Sequence, residues 1–377
     1  MKLDSIQISQ FRNLTNVTLS PSPELNLVYG DNGSGKSSIL EAIHFLGFGR
    51  SFRTSKPKHV IQEGNTEFNV FAKCSYSDSN TSESERKLGI SRNVKEEFTC
   101  SIDGERSHRI SDLVALLPVQ IFTPQSIDQM IGSPSSRRKY LDWGLFHVEH
   151  SYGELSRSYQ RLLKQRNALL KKYSKESRRS VEAANELKAQ IQYWDKQFIA
   201  LGEQINSKRI AYLDSLKIVF SQVADQFLPE FCFEITYYSG WDKSQSLESQ
   251  LTNKFEQDLK FGHSTSGPHK ADFRIKNQDG VPAFEVLSRG QLRMLVAALQ
   301  LSQTKTLSSQ TSNSGVFLLD DIGAELDENH RQIFIRHLLQ TNTQIFVTAI
   351  EKEQFSLPTE VYNKKLFHVK HGHVVEE

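Results

Sequence analysis

The chain has only three cysteines, Cys74, Cys100 and Cys232, scattered through 377 residues. They have neither the paired spacing of a zinc site nor the even count of a disulfide framework, so structural, reduced thiols are expected. No apolar run approaches the ~18 residues that a membrane span requires, and MKLDSIQISQF lacks the apolar stretch of a signal peptide. A cytoplasmic protein with no membrane partner is therefore expected. Charge of one sign is scarce too: 46 Lys and Arg against 44 Asp and Glu leave a net charge of +2. That excludes a uniformly basic coat, so any contact with nucleic acid must come from local patches. Helix-turn-helix and zinc-finger patterns are absent, which leaves sequence-independent phosphate contacts.

Against these absences stands GDNGSGKS, Gly30 to Ser37, which fits G-x-x-x-x-G-K-[ST]. LNLVYG before it reads as a buried strand and SSILEAIHFLG after it as a helix, the context the motif requires. Gly30, Gly33 and Gly35 allow backbone N–H groups to converge on an anion at a helix N-terminus, with Asp31, Asn32, Ser34 and Ser38 completing the loop. Lys36 is placed to reach the β- and γ-phosphates of ATP. Ser37 offers a hydroxyl to Mg²⁺, a hard cation that takes oxygen ligands.

Strand patterns crowd the first part of the chain: SIQISQF, NVTLS, LNLVYG, EFNVFAKCSYS, RKLGISRN and EEFTCSIDGE, the last ending in an Asp-Gly turn. SDSNTSESE, from Ser77 to Glu85, reads as a polar loop. From about Glu154 to Gln226 the character changes, with apolar residues at Leu155, Tyr159, Leu162, Leu169 and Tyr173 in near-heptad steps. The pattern lapses in SKESRRSVEAAN and resumes through Leu187, Ile191, Trp194, Phe198 and Leu201, which predicts two antiparallel helices. Strands then return in FCFEITYYSGW, ADFRIKN, GVFLLDD, QIFVTAI and KLFHVKHG. The expected architecture is α/β, a nucleotide-binding head split by an inserted helical arm: residues 1–145, then an arm lobe at 146–255, then 256–377.

GVFLLDDIGAELD delivers Asp320 and Asp321 at the end of an apolar strand, where ligands bind in open α/β sheets. Asp320 suits Mg²⁺, and Asp321 sits where a carboxylate orients or deprotonates an attacking water. Upstream, LSRGQLR opens a long helix with Ser288 as its N-cap, a second phosphate-suited terminus with Gly290 and Gln291. The order of phosphate loop, LSxGQ, aspartate-ending strand and ELD with Asp327 resembles the ABC-type ATPase head, in which LSxGQ completes the site of a second copy. An arm inserted before LSxGQ resembles the SMC-like chromosome and repair ATPases. FRNL, GDNGSGKSSILEAI, GRSFRT, GSPSSRRKYLDWG, GPHKADF, LSRGQLR and LLDDIGAELD together resemble the RecF family of bacterial recombination mediators.

That resemblance implies an ATP-dependent homodimer that binds gapped DNA or single-strand/double-strand junctions. It also implies work with RecR and RecO to load RecA, and slow ATP hydrolysis that resets the protein. Lys36, Asp320 and Asp321 would carry the chemistry, and Gln125 in FTPQSID would be the Q-loop residue. Three positions depart from the wider ABC pattern: Asp321 stands where a glutamate is usual, Arg289 where transporters have glycine, and Ala349 where a switch histidine is common. An SMC-like ATPase subunit of a nuclease complex, or a transporter ATPase subunit, would share the head motifs. The arm argues against the transporter, because Arg157 to Arg179 holds nine Lys or Arg and one acid, Glu176. Arg157, Arg161, Lys164, Lys171 and Lys175 fall on one helical stripe able to track phosphates. Arg50, Arg53, Lys56, Lys58 and His59 form a second cluster after the phosphate-loop helix, and Arg137, Arg138 and Lys139 a third. His263 and His269 read as ordinary surface or core histidines.

Overall fold

Strand β1 (Lys2–Phe11) buries Leu3, Ile6, Ile8 and Phe11. A break in its pairing between Leu3 and Ser5 brings the odd-spaced Leu3 to the buried face. In this computed structural model, which describes residues 1–78, 81–176, 180–311, 315–352, 361 and 363–377, the chain divides into two compact units. The head comprises Met1–Asp128, Val223–Pro229 and Leu287–Glu377; the arm lobe comprises Gln129–Gln222 and Glu230–Val286. The divisions expected near 145 and 255 thus fall inside the second unit.

In the head, β1 joins β2 (Leu14–Leu19), β4 (Glu67–Asp78), β5 (Thr81–Asn93), β6 (Phe98–Ile102) and β7 (Glu105–Ser107) in an antiparallel sheet of order β2-β1-β4-β5-β6-β7. Asp103 and Gly104 both have positive φ, as the tight β6–β7 turn demands. Ser77 to Glu85 is not a loop over its length: β4 and β5 run through most of it, pairing Tyr76 with Ser84 and Asp78 with Thr81. Residues 79–80 lie outside the described residues. The ladder of backbone hydrogen bonds continues past the last core residue, so apolar alternation stops before the strands do.

A second sheet has the order β14-β13-β3-β12-β11-β8. It is formed by β3 (Leu25–Tyr29), β8 (Val119–Phe122), β11 (Val316–Leu319), β12 (Gln344–Ala349), β13 (Lys364–Lys370) and an antiparallel edge, β14 (His373–Glu376). The other pairings are parallel, and β3, β8 and β11 are buried throughout, which is why they read as unbroken apolar runs. Helix α1 (Lys36–Phe48) packs on β1, β4 and β5 of one sheet and on β8 and β12 of the other, and nearly all of it is buried. Helices α2 (Ile110–Leu116), α10 (Arg289–Gln310), α11 (Ile322–Glu325) and α12 (Glu328–Gln340) complete the head, and α3 (Ser126–Ile131) begins in it.

The arm lobe is built on α4 (Pro134–Val148), α5 (Tyr152–Glu176) and the long α6 (Val181–Phe227), whose last residues belong to the head. The two arm helices expected from the heptad pattern are α5 and α6, with 177–179 outside the described residues. Helices α7 (Leu247–Asn253), α8 (Phe255–Phe261) and α9 (Ala283–Val286) and the ribbon of β9 (Phe233–Tyr238) with β10 (Asp272–Asn277) complete the lobe. Its interior carries charge. Arg166 lies on the apolar seam of α5, buried, with Nε 2.7 Å from Asp195 and Nη1 2.6 Å from Asp258. Arg137 is paired with Asp272 at 2.7 Å, and Arg209 with Asp142 at 2.8 Å. Cys74 and Cys100 are buried as expected of structural thiols; Cys232 is exposed.

Candidate nucleotide site

The register of the parallel sheet creates the site. Strands β3, β11 and β12 end at the same edge, where Gly30 follows β3, Asp320 follows β11 and Thr348 lies opposite Val28. The phosphate loop leaves that edge with φ of 146° at Gly30, 79° at Gly33 and 123° at Gly35. A Cβ on Gly30 would lie 2.2 Å from the carbonyl oxygen of Val369, so only glycine fits that close approach. Helix α1 begins at Lys36 with no side chain capping its terminus, leaving its first N–H groups for an anion.

A cavity of about 640 Å³ opens there, lined by Asn32, Gly33, Gly35, Lys36, Ser37, Ser38, Asp320 and Asp321, with Arg12, Asn13, Arg53, His59, Ile61, Thr348, Ala349 and Ile350. The Lys36 ammonium donates to the carbonyls of Gly30 at 2.6 Å and Asp31 at 2.9 Å. Burial lowers its pKa, against the pull of the Asp320, Asp321 and Asp31 carboxylates. Ser37 Oγ donates to Asp320 Oδ1 at 2.9 Å, and Thr348 Oγ1 donates to the same oxygen at 3.0 Å. Burial raises the pKa of Asp320, while these two hydroxyls and Arg53 oppose the shift. A desolvated carboxylate beside a hydroxyl and a lysine is a donor set for a hard divalent cation bridging to a polyphosphate. Ser37 and Asp320 fit Mg²⁺ in that respect.

Gly30, Asp31 and Ser34 form the loop's frame and do not line the cavity. Asn13 is a site residue that FRNL alone does not disclose: its Nδ2 donates to the Ser34 carbonyl at 3.0 Å, and Ser38 Oγ donates to its Oδ1 at 2.8 Å. Behind the loop the buried Glu41 carboxylate gathers Arg12 at 2.7 Å, Arg53 at 3.7 Å and the Ser51 hydroxyl. Arg53, expected among DNA-facing residues, is exposed like Arg50 and Lys56 but also lines the nucleotide cavity.

Three elements of the expected site lie outside the cavity lining: Gln125, which is exposed, Ser288 with Gly290 and Gln291, and Asp327. Ser288 caps α10 in a reciprocal box, its Oγ accepting from the Gln291 amide at 3.3 Å while Gln291 Oε1 accepts from the Ser288 amide at 2.9 Å. Ser288 and Gly290 are exposed. Asp327 caps α12 and accepts from the His330 amide at 3.0 Å. On α5, Arg157, Arg161, Lys164, Lys171 and Lys175 are exposed, but Arg166, one of the nine basic residues in that run, belongs to the interior, and Arg178 and Arg179 lie outside the described residues. His269 is structural: Nδ1 lies 2.8 Å from the Tyr159 hydroxyl and Nε2 3.1 Å from the Ser264 carbonyl. Among the described residues no helix is long and apolar enough to cross a membrane.

Comparison with known proteins agrees with this geometry. The family model described as the RecF/RecN/SMC N-terminal domain matches residues 2–374. The DNA replication and repair protein RecF of Pseudoalteromonas atlantica is 52% identical over 377 residues, covering 100% of both chains. That of Shewanella oneidensis is 39% identical over 374 residues, 99% of each. Among solved structures, the recombination mediator protein RecF with ATP, of the RecFOR pathway, superposes with a TM-score of 0.85 at 28% identity, covering 100% of this chain and 97% of that one. An Smc head domain from Pyrococcus furiosus, at TM-score 0.58 and 16% identity, shares the fold. Family match, end-to-end identity and fold agree: the chain belongs to the RecF family of DNA replication and repair proteins.

Proposed function

We propose that this protein is an ATP-switched DNA clamp of replication and recombinational repair, in which binding of ATP and Mg²⁺ drives formation of a homodimer on gapped DNA. The observation that carries this reading is a separation. Lys36, Ser37, Asp320 and Asp321 share one cavity, while the capped helix terminus at Ser288 is exposed and outside it. An anion-suited helix end that does not serve its own cavity is suited to the cavity of a two-fold related copy.

In that arrangement the glycine loop and the α1 terminus hold the phosphates, and Lys36 exchanges its carbonyl contacts for phosphate oxygens. Ser37 and Asp320 hold the cation, which supplies neutralisation of phosphate charge. Asp321 orients or deprotonates the attacking water. Its carboxylate is one methylene shorter than the usual glutamate, which accords with slow, DNA-responsive turnover that resets the clamp. Gln125 and Asp327 would join the site on closure. The exposed α5 stripe, with Arg50 and Lys56, supplies phosphate contacts to DNA. The solved relative is a recombination mediator of the RecFOR pathway, which supports RecR and RecO as partners and loading of RecA as the outcome, in the cytoplasm.

Sedimentation with and without ATP, repeated with gapped and fully duplex DNA, tests the reading. Ser288→Arg should bind ATP normally yet stay monomeric and hold DNA weakly. Mixed with Lys36→Ala, which does not bind ATP, it should regain at most one composite site per heterodimer. ATP-dependent dimerisation of Ser288→Arg alone, equal to wild type, would reject the trans arrangement.

A further inference from the structure

Ala349 has no donor or acceptor beyond its backbone, so the place at which many ABC-type heads carry a polar switch side chain is chemically silent. The residue before it is not. Strand β12 lies between β11 and β3, and its register pairs Leu319 with Val347 and Val28 with Thr348. Thr348 therefore sits one step along from the last β11 pair, beside Asp320, and on its other side opposite the strand that leads into the phosphate loop. It is 3% exposed, so water competes little for its hydroxyl. That hydroxyl donates to Asp320 Oδ1 at 3.0 Å and accepts from the Asp321 amide at 2.8 Å. Asp321 itself has φ 55° and ψ 39°, the left-handed region that L-residues seldom occupy and that a following turn of helix does not supply.

We propose that Thr348 is a positioning residue for ATP hydrolysis, its single hydroxyl fixing the two adjacent carboxylates in different attitudes. The proton it gives to Oδ1 turns Asp320 toward Ser37, the cation side of the cavity. The amide it receives holds Asp321 in the left-handed conformation, so that two consecutive residues both line the cavity instead of alternating to opposite faces as in an extended strand. The division between a cation-holding and a water-activating aspartate then follows from backbone geometry set by β12. This inference rests on the proposed assignment of Asp321 to the water.

The test compares Thr348→Val, which keeps the shape and removes the hydroxyl, with Thr348→Ser, which keeps the hydroxyl and removes the methyl. Binding of a fluorescent ATP analogue with Mg²⁺, kcat and KM at saturating DNA, and thermal melting are measured for each. Thr348→Val should lower kcat by about tenfold or more, the loss expected from two hydrogen bonds at a charged site, with KM changed by less than about threefold. Thr348→Ser should restore kcat to within about threefold of wild type. A Val variant with wild-type kcat overturns the proposal, as does a Ser variant as slow as the Val variant, since the effect would then follow packing. Asp321→Asn separates the two layers. If it turns over at the wild-type rate, the assignment of Asp321 fails and the inference with it; if it is inactive while Thr348→Val is normal, the inference alone fails.

Discussion

The head gathers Arg12, Ser51 and Arg53 around one fully buried carboxylate, Glu41, set between two sheets of aliphatic and aromatic side chains. The arm lobe does the reverse, burying three arginines, Arg137, Arg166 and Arg209, each against aspartate. These pairs lie among buried apolar side chains that include Tyr159, Phe198, Phe220 and Phe273. The sheets of the head pack by area, which tolerates substitution of one aliphatic for another. The lobe adds to its apolar packing directional contacts that work in one arrangement only, and removing one partner of such a pair strands a desolvated charge. A head of the first kind suits a site whose precision comes from strand register. A lobe of the second kind specifies where α5 presents its exposed basic stripe.

The comparison breaks most readily at Arg166. Arg166→Leu leaves the Asp258 carboxylate buried without its cation and should cost about 3–5 kcal/mol of lobe stability. All three tryptophans, Trp143, Trp194 and Trp241, lie in the lobe, so intrinsic fluorescence during urea unfolding reports on that unit. An unchanged midpoint would show that the buried pairs are not what holds the lobe. Reversing the charge of Arg161, Lys164 and Lys171 together should leave that midpoint nearly as it was, because all three are exposed. It should instead weaken DNA binding and flatten its log–log salt dependence by roughly 0.9 for each duplex phosphate that is no longer neutralised. A slope identical to wild type would move the DNA contact to another face.

Acidification gives the smallest contrast and sharpens the comparison. Burial holds His147 down to about 3 and His269 to about 4 in the lobe, and His44 to about 3 in the head. Each stays neutral in the fold while the unfolded chain takes up a proton below the ordinary value of 6.5, so stability is fully present above pH 6.5 and is lost as pH falls toward those values. His337 in the head is lowered by burial as well, so each unit holds two such groups, and both the tryptophan-reported transition and nucleotide retention by the head should weaken between pH 7 and pH 5. A tryptophan-reported transition that does not move would mean that the lobe histidines are already solvated.

The head was legible because its chemistry is written in consecutive residues. GDNGSGKS sets the glycines, the lysine and the Ser37 hydroxyl in one turn, and the apolar runs of β3 and β11 announce buried parallel strands. The lobe was legible only as helices. Arg166 finds Asp258 at a separation of 92 residues, and Arg137 finds Asp272 at 135, distances over which no local pattern forms. In the sequence these arginines are indistinguishable from neighbours that face solvent. Thr348 was hidden differently. Its importance depends on the register of three strands drawn from opposite ends of the chain, and a lone threonine before Ala349 carries no signal of that.

The phosphate loop near the start of the chain leans on its last strands: β3 is flanked by β12 and β13, and the Gly372 amide donates to the Ser34 carbonyl at 2.8 Å. During synthesis the loop emerges from the ribosome more than three hundred residues before Gly372 does. Until then β3 has neither parallel neighbour, and the loop has its contacts with Asn13 but not the one with Gly372. A chain that ends before β13 lacks one flank of β3 and the Gly372 contact to the loop, so completion of the nucleotide site waits on the last strands to be translated.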